Sequence, residues 1–197
     1  MAKKNKVNFG LKKATFFPVT EDGHGTAIQA LGAVNVSMAP SGSSNPFYAE
    51  DTNFYNTVSN TGWSGDLEVA NLPDEFFTEC LGWMKDKNGA LVEVSDAVPR
   101  EFAFAFEVMG DQAKRRNVFY SCTATRPNAD GATTEESATP KTQTVTITAV
   151  PKEIDCGGAT VYTARAIFQE DTTDAESWAN FWTKVCMPAL DASAPVE

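Results

Sequence analysis

Alternation with a period of two, in which apolar side chains alternate mostly with small or polar ones, is the feature that most constrains this fold. In residues 101–108 every second side chain from Phe102 to Val108 is large and apolar, and residues 117–125 and 142–150 repeat the same period. A period of two places alternate side chains on opposite faces of a β-strand. Because turn-forming residues separate these segments, we predict an α+β protein that is mainly β, an antiparallel β-sandwich or open barrel.

The alternation also assigns side chains to faces. Residues 160–168 form one further predicted strand, and the predicted total is about eight strands. In residues 117–125 four side chains are predicted to share one face: Val118, Tyr120, Cys122 and Ala124.

Two segments carry a helical pattern and are predicted to flank the β structure. Pro73 suits the first turn of a helix, and the acids that follow it suit the positive helix end. Residues 173–176 match a capping box, which predicts a second helix after them. The predicted apolar faces are Phe76, Phe77, Cys80 and Leu81 in the first helix, and Trp178, Phe181, Trp182 and Val185 in the second.

Residues 40–60 combine turn-forming and aromatic residues. Pro40 and Pro46 cannot donate to a central β-ladder, so we predict a long loop. Aromatic side chains in a polar loop are typical of a surface that a partner covers, and we predict contact with another subunit. The alternative is that the rings fold back into a small core of their own. The aromatic candidates for inter-subunit contact are Phe47, Tyr48, Phe54 and Tyr55.

Residues 63–69 alternate cleanly between apolar and acidic side chains. Leu67 and Val69 share one face with Trp63, and Asp66 and Glu68 lie on the other. We therefore predict that the two carboxylates face away from the core.

The net charge of −10 is unevenly distributed. Five lysines lie within residues 1–13, so eleven of the 16 basic residues remain elsewhere against 26 acidic ones. A body this acidic repels polyphosphate. We divide the chain into a basic N-terminal arm (1–13), one folded domain (14–188) and a flexible acidic C-terminal tail (189–197). The arm could contact nucleic acid, remain solvated or pair with an acidic neighbour.

Residues that would indicate an enzyme are scarce. His24 is the only histidine, and no serine or cysteine motif accompanies it. No calcium-binding loop and no glycine-rich phosphate loop is present. We predict no catalytic residue, no metal and no cofactor. The four cysteines lack a paired spacing, so we expect buried, reduced thiols at Cys80, Cys122, Cys156 and Cys186.

Lys114, Arg115 and Arg116 form a compact basic run. It suits a hairpin tip, one side of an inter-subunit ion pair or a nucleic-acid contact. We treat these three residues as candidate inter-subunit contacts.

No segment approaches the roughly 18 apolar residues that a membrane-spanning helix needs. The basic N-terminus lacks the apolar region of a secretory signal. We therefore expect a protein that is made in the cytoplasm and has no membrane partner.

Seven segments carry a family resemblance: residues 46–51, 59–70, 72–76, 113–124, 126–127, 133–136 and 173–176. In this combination and order they resemble the major tail protein family of long, non-contractile-tailed bacteriophages (siphophages). The resemblance extends over about residues 13–188, and no single segment would suffice. Some members of the family carry an additional immunoglobulin-like module, which is not expected here.

The resemblance implies a tail-tube β-sandwich that assembles with itself as stacked hexameric rings. The inner sheets of the six subunits would form a continuous β-barrel lumen. DNA would pass through it without specific binding, and a tape-measure protein would fill it during assembly. Tail-tip and tail-terminator proteins would be further partners, and the mature location would be the virion tail. On this interpretation Asp66 and Glu68 line the lumen.

Two other functional classes remain open at this point. One is a carbohydrate-binding β-sandwich on a virion or cell surface that uses Trp63 or Trp83. The other is a protein that decorates an assembled capsid.

Overall fold

The computed structural model describes residues 10–21, 23–49, 51–111, 113–129, 131 and 141–190. All strand pairs in this part of the chain are antiparallel and the two helices are short, which confirms the prediction of a mainly β, α+β chain. The elements are β1 (Leu11–Thr20), β2 (Gly23–His24), β3 (Ile28–Gln29), β4 (Ala33–Ala49), β5 (Thr52–Val69), α1 (Asp74–Glu79), β6 (Met84–Lys85), β7 (Leu91–Val92), β8 (Phe102–Val108), β9 (Arg116–Ala124), β10 (Gln143–Ala149), β11 (Lys152–Asp155), β12 (Thr160–Thr163), β13 (Arg165–Phe168) and α2 (Ala175–Ala179).

One nine-stranded sheet organises the described chain. Its main path runs β2-β1-β8-β9-β10-β5-β4, with β3 paired to β1 and β13 paired to β9. Two separate two-stranded ribbons, β6-β7 and β11-β12, complete the β structure. The described chain has more strands than predicted because short strands such as β2 and β3 carry too few residues to show a period.

The first core lies on one face of this sheet and is rich in phenylalanine. The Phe16 ring of β1 lies 4.5 Å from Phe76 of α1 and 5.4 Å from Phe104 of β8. Val36 and Met38 of β4, at the far end of the strand order, pack against the same cluster. Because both ends of the sheet contact one cluster, the sheet curves around it, and α1 covers that cluster with its predicted apolar face.

The second core lies on the opposite face of β8 and β9. The small side chains of Ala103 and Ala105 leave room there for Phe181 and Trp182, which follow α2. The Tyr120 hydroxyl donates a 3.0 Å hydrogen bond to the Cys186 carbonyl oxygen. The C-terminal segment is therefore part of the folded domain.

A β-bulge between β8 and β9 changes which face each side chain of residues 117–125 occupies, relative to the prediction. Three residues of β8, from Phe102 to Phe104, lie opposite four residues of β9, from Phe119 to Cys122. The extra residue reverses the alternation, so Val118 and Tyr120 lie in the second core while Cys122 and Ala124 lie in the first. The single face predicted for these four side chains is wrong, because a strict period of two assumes an unbroken ladder.

The predicted loop at residues 40–60 is wrong as well, because it forms most of a long β-hairpin. β4 and β5 pair from Ala33 and Val69 out to Ala49 and Thr52. The prolines are tolerated because β4 ends the strand order and is an edge strand, where a missing N–H can face outward.

The bounds of other predicted segments also differ from those in the structure. β1 begins at Leu11, so the last residues of the predicted basic arm belong to the sheet, and Lys13 Nζ lies 5.3 Å from the Trp182 ring centroid. The rest of the arm lies outside the described residues. The single strand predicted at residues 160–168 is divided at Ala164 into β12 and β13. In the predicted acidic tail, the Leu190 N–H donates to the Cys156 carbonyl oxygen at 2.8 Å, and residues 191–197 lie outside the described part.

Arg116, the first residue of β9, fixes α2 onto the sheet. Its Nε lies 3.0 Å from Glu107 Oε2, and both side chains are largely buried, with 11% and 17% exposed. Its Nη1 donates a 2.8 Å hydrogen bond to the Trp178 carbonyl oxygen, and its guanidinium carbon lies 3.5 Å from the centroid of the Trp178 ring. One cation therefore joins β9 to α2, the helix that precedes Phe181 and Trp182 of the second core.

Replacing Arg116 should destabilise the protein strongly. Arg116→Ala leaves the largely buried Glu107 carboxylate unpaired, and we expect the free energy of unfolding to fall by about 3 kcal/mol in urea titrations. Arg126→Ala is the matched control, because its ion pair with Glu93 is about half exposed and should contribute less than about 1 kcal/mol. Equal effects of the two variants would contradict the role assigned to Arg116.

Candidate assembly surface

The outer half of the β4-β5 hairpin projects beyond the sheet. β10 pairs with β5 only from Val69 to Trp63, so the more distal part of β5 has β4 as its partner. Gly62 marks this point with a φ of +124°, and a Cβ there would lie 2.1 Å from the Ala149 carbonyl oxygen. A β-bulge lies beside it, between Ser41 and Gly42 of β4. Glycine thus permits β5 to leave β10 and continue into the projecting part of the hairpin.

Hydroxyl and amide side chains reinforce the projecting ladder. The Ser43 and Ser59 hydroxyl oxygens lie 2.9 Å apart, and the Ser44 hydroxyl donates to Asn56 Oδ1 at 2.8 Å. These contacts join opposite strands, so they oppose fraying of a two-stranded segment that lacks further sheet support.

All four predicted aromatic contacts lie on this projection and are exposed. The exposed fractions are 62% for Phe47, 67% for Tyr48, 75% for Phe54 and 64% for Tyr55. Phe47 and Tyr55 are directly paired across the strands. The alternative of a small separate core is therefore wrong, since rings that folded back on one another would not remain so accessible.

The two predicted acidic residues lie on the polar face of the sheet. Leu67 and Val69 are buried in the first core, whereas Asp66 is exposed and Glu68 is partly exposed. Thr146 of β10 donates a 2.7 Å hydrogen bond to Asp66 Oδ1, and Thr142 donates to Glu68. The outward orientation of both carboxylates is confirmed.

Threonine side chains of neighbouring strands extend this polar face. On β10 Thr144 is paired with Glu68 and Thr146 with Asp66, and Thr148 is paired with Thr123 of β9. Neighbouring strands therefore present hydroxyls and carboxylates together, while Val145 and Ile147, between the threonines, point into the first core.

The basic run has partners within its own chain. Lys114 pairs with Glu170, Arg115 with Asp111 and Arg116 with Glu107. The Arg115 hydrogen bond lowers the pKa of Asp111, a buried carboxyl in the connection between β8 and β9. The run does lie at the end of the β8-β9 hairpin, and its proposed contact with another subunit stays a prediction.

His24 lies on β2, opposite Val19 of β1. Desolvation lowers the pKa of His24, the neighbouring Glu101 raises it, and Lys152, paired with Glu101 at 2.8 Å, lowers it further. Among the described residues, no three histidine, cysteine or acidic side chains are grouped as metal ligands.

A cleft at the base of the hairpin brings Trp63 together with residues that the sequence patterns did not single out. Asn60 and Trp63 of β5 face Tyr162 of β12 and Arg165 of β13 across it. The sequence carried one usable signal, an arginine between two alanines inside a predicted strand. Trp63 itself is half-buried, lies 5.8 Å from the Phe119 ring and is therefore not a freely exposed platform for a sugar.

Searches for known relatives found neither a family model nor a curated protein that matches the chain. In the part of the chain that the structure describes, no helix is long and apolar enough to cross a membrane.

The four thiols should be unreactive in the folded protein. All four are buried and free, and burial raises the pKa of Cys80 to about 12 and that of Cys186 to about 11. Since the thiolate is the nucleophile, we expect an aromatic disulfide reagent at neutral pH to leave the folded protein unlabelled and to titrate all four thiols in denaturant. Rapid labelling of the folded chain would show that at least one thiol is accessible.

Proposed function

We propose that this chain is the tail-tube subunit of a siphophage. It polymerises as stacked hexameric rings into the conduit through which phage DNA is delivered. The observation that carries this proposal is the projecting β4-β5 hairpin, whose exposed aromatic side chains adjoin a sheet with a polar, acidic outer face.

The hairpin aromatics favour a self-assembling protein. Fully burying one large apolar side chain stabilises a contact by about 1.5–3 kcal/mol, so four accessible rings on one projection represent a substantial driving force for association. Aromatic residues are enriched at the centres of protein interfaces, and the paired Phe47 and Tyr55 present a rigid patch at low entropic cost.

The edge of the sheet supports a closed ring. β4 ends the strand order over seventeen residues, and a long edge strand invites pairing with another chain. Neighbouring subunits in a ring would cover that edge, and closure limits the pairing to a defined number of copies. Pro40 and Pro46 remove two donors from the edge and disfavour indiscriminate pairing.

The polar face suits the wall of a DNA conduit. Carboxylates at Asp66 and Glu68 repel phosphate, while the threonine hydroxyls beside them keep the wall hydrated. Screening limits this repulsion to roughly 8–10 Å at physiological salt, which is sufficient for a strand that passes close to the wall. Such a wall lets DNA pass without specific binding.

On this proposal the remaining partners are other tail proteins. A tape-measure protein fills the lumen during assembly, and tail-tip and tail-terminator proteins close its ends. The subunit is made in the host cytoplasm, resides in the virion tail and has no enzymatic activity.

Removing the hairpin aromatics should abolish assembly without unfolding the subunit. We expect the variant with Phe47, Tyr48, Phe54 and Tyr55 replaced by serine to remain a folded monomer, because these side chains make no core contact. Negative-stain microscopy and analytical ultracentrifugation would test this against wild-type protein, which should form rings or tubes of uniform diameter.

A matched control replaces four exposed apolar residues outside the hairpin, Met84, Val98, Met109 and Val150, by serine. This variant should assemble as the wild type does. Normal tubes from the aromatic variant would refute the role of the hairpin. A wild-type chain that remains monomeric and binds glycans, or one that binds only to preassembled capsids, would overturn the tail-tube proposal.

The lumen assignment predicts protection of one face upon assembly. A cysteine introduced as Asp66→Cys should react with a bulky polymer maleimide in the monomer but not inside a tube, because the polymer cannot enter a narrow lumen. The control Asp96→Cys, at an exposed position in the connection after β7, should react in both states. Equal labelling of Asp66→Cys before and after assembly would place this face on the outside of the tube.

A further inference from the structure

The cleft beside the hairpin is lined by residues of three separate chain segments, at 60–63, 151 and 162–167. It has a volume of about 440 Å³ and lies where the hairpin departs from the sheet, next to β13. Asn60 and Trp63 form one wall, and Tyr162, Arg165 and Ile167 form the other. Tyr162 is 71% exposed and Ile167 is 49% exposed, so the mouth of the cleft is apolar as well as open.

Arg165 is the distinctive residue of this cleft. Its guanidinium carbon lies 4.7 Å from the centroid of Trp63 and 5.5 Å from that of Phe119, and its Nη2 donates a 2.6 Å hydrogen bond to Asn117 Oδ1. Its Nε is buried without a hydrogen-bond partner. Desolvation also lowers the pKa of Arg165, as is expected of a cation that lacks a nearby anion.

The other arginines of the chain do not share this property. Arg100, Arg115, Arg116 and Arg126 each pair with a carboxylate of the same chain. Arg165 has no such partner among the described residues. A partly desolvated guanidinium that stacks on a tryptophan and lines an open cleft is a site at which a carboxylate from outside the chain can neutralise the charge.

A matching carboxylate lies at the tip of the hairpin. Asp51 is exposed, has a φ of +56° and has no ion-pair partner in the described part of the chain. The exposed rings of Tyr48 and Phe54 flank it. Among the described residues of the tip, Asp51 is the one acid, and it lies between aromatic groups, whereas the cleft presents Arg165 between aromatic and apolar groups.

The tip cannot reach the cleft of its own chain. Nine residues of extended strand separate Asp51 from Asn60, which corresponds to roughly 30 Å. We propose that the Arg165 cleft receives Asp51, at the hairpin tip, from a second copy of the chain. The contact is head-to-tail, so every copy both inserts a tip and accepts one. This inference rests on the proposed self-assembly and names the site through which the hairpin acts.

Neutralising either partner should weaken assembly. We expect Asp51→Asn and Arg165→Gln each to raise the critical concentration for tube formation at least about tenfold, as removal of one member of a desolvated charge pair does. Asn tolerates the left-handed conformation at position 51, so folding should be unaffected. Arg126→Gln, which breaks an exposed ion pair within the chain, is the control and should assemble at the wild-type concentration.

Exchanging the charges should restore the contact. Asp51→Lys and Arg165→Glu should each fail to assemble, and the double variant should assemble again because the pair is re-formed with opposite polarity. Circular dichroism and thermal melts of all variants establish that the subunits are folded. If Arg165→Glu does not fold, Asp51→Lys and Asp51→Asn still test the proposal, because Asp51 lies at an exposed tip.

Photo-crosslinking identifies the occupant directly. A benzophenone amino acid in place of Tyr162 should crosslink to residues 48–54 of another copy in tubes assembled from isotopically light and heavy subunits. Crosslinks to any other segment, or wild-type assembly of Asp51→Asn and Arg165→Gln, would overturn the cleft proposal while leaving the tail-tube proposal intact. A wild-type protein that forms no assembly would overturn both.

Discussion

The antiparallel ladder between β4 and β5 is the constraint on which the rest of this structure depends. Its inner half belongs to the curved sheet, where Leu67 and Val69 are buried in the phenylalanine-rich core. Its outer half has no further strand partner from β10 and carries the exposed aromatics. Because one continuous pair of strands makes both halves, core packing fixes the direction in which the proposed assembly surface projects.

Arg116 and Arg165 use the same guanidinium group in opposite ways. Arg116 is satisfied within the chain by Glu107, the Trp178 carbonyl oxygen and the Trp178 ring, so it contributes stability and locks the C-terminal segment. Arg165 stacks on Trp63 but lacks a carboxylate in the described chain, so its pairing capacity is available to a partner. The two arginines behave differently because their surroundings differ, since the residue type is the same.

The mainly β fold, the helix after Pro73, the burial of the cysteines and the outward direction of Asp66 and Glu68 were predictable. Each follows from local periodicity or composition, which needs no knowledge of distant contacts. The bulge in β9 was not predictable, since the extra residue is recognised only opposite Phe102 and Phe104. Pro40 and Pro46 led to the wrong prediction of a loop, because the free-energy cost of a proline in a strand depends on whether that strand has one neighbour or two.

The sequence by itself determined which side chains favour burial and where acidic, basic and aromatic groups lie along the chain. It located the aromatic segment at residues 47–55, for which contact with a partner stays a prediction, and the acidic alternation at residues 63–69. Only the tertiary structure decided that this segment is a projecting hairpin and that Arg165 meets Trp63 and Asn60 in one cleft. These residues lie about a hundred positions apart in the sequence, and pairings at such separations depend on the register of strands that local patterns do not encode.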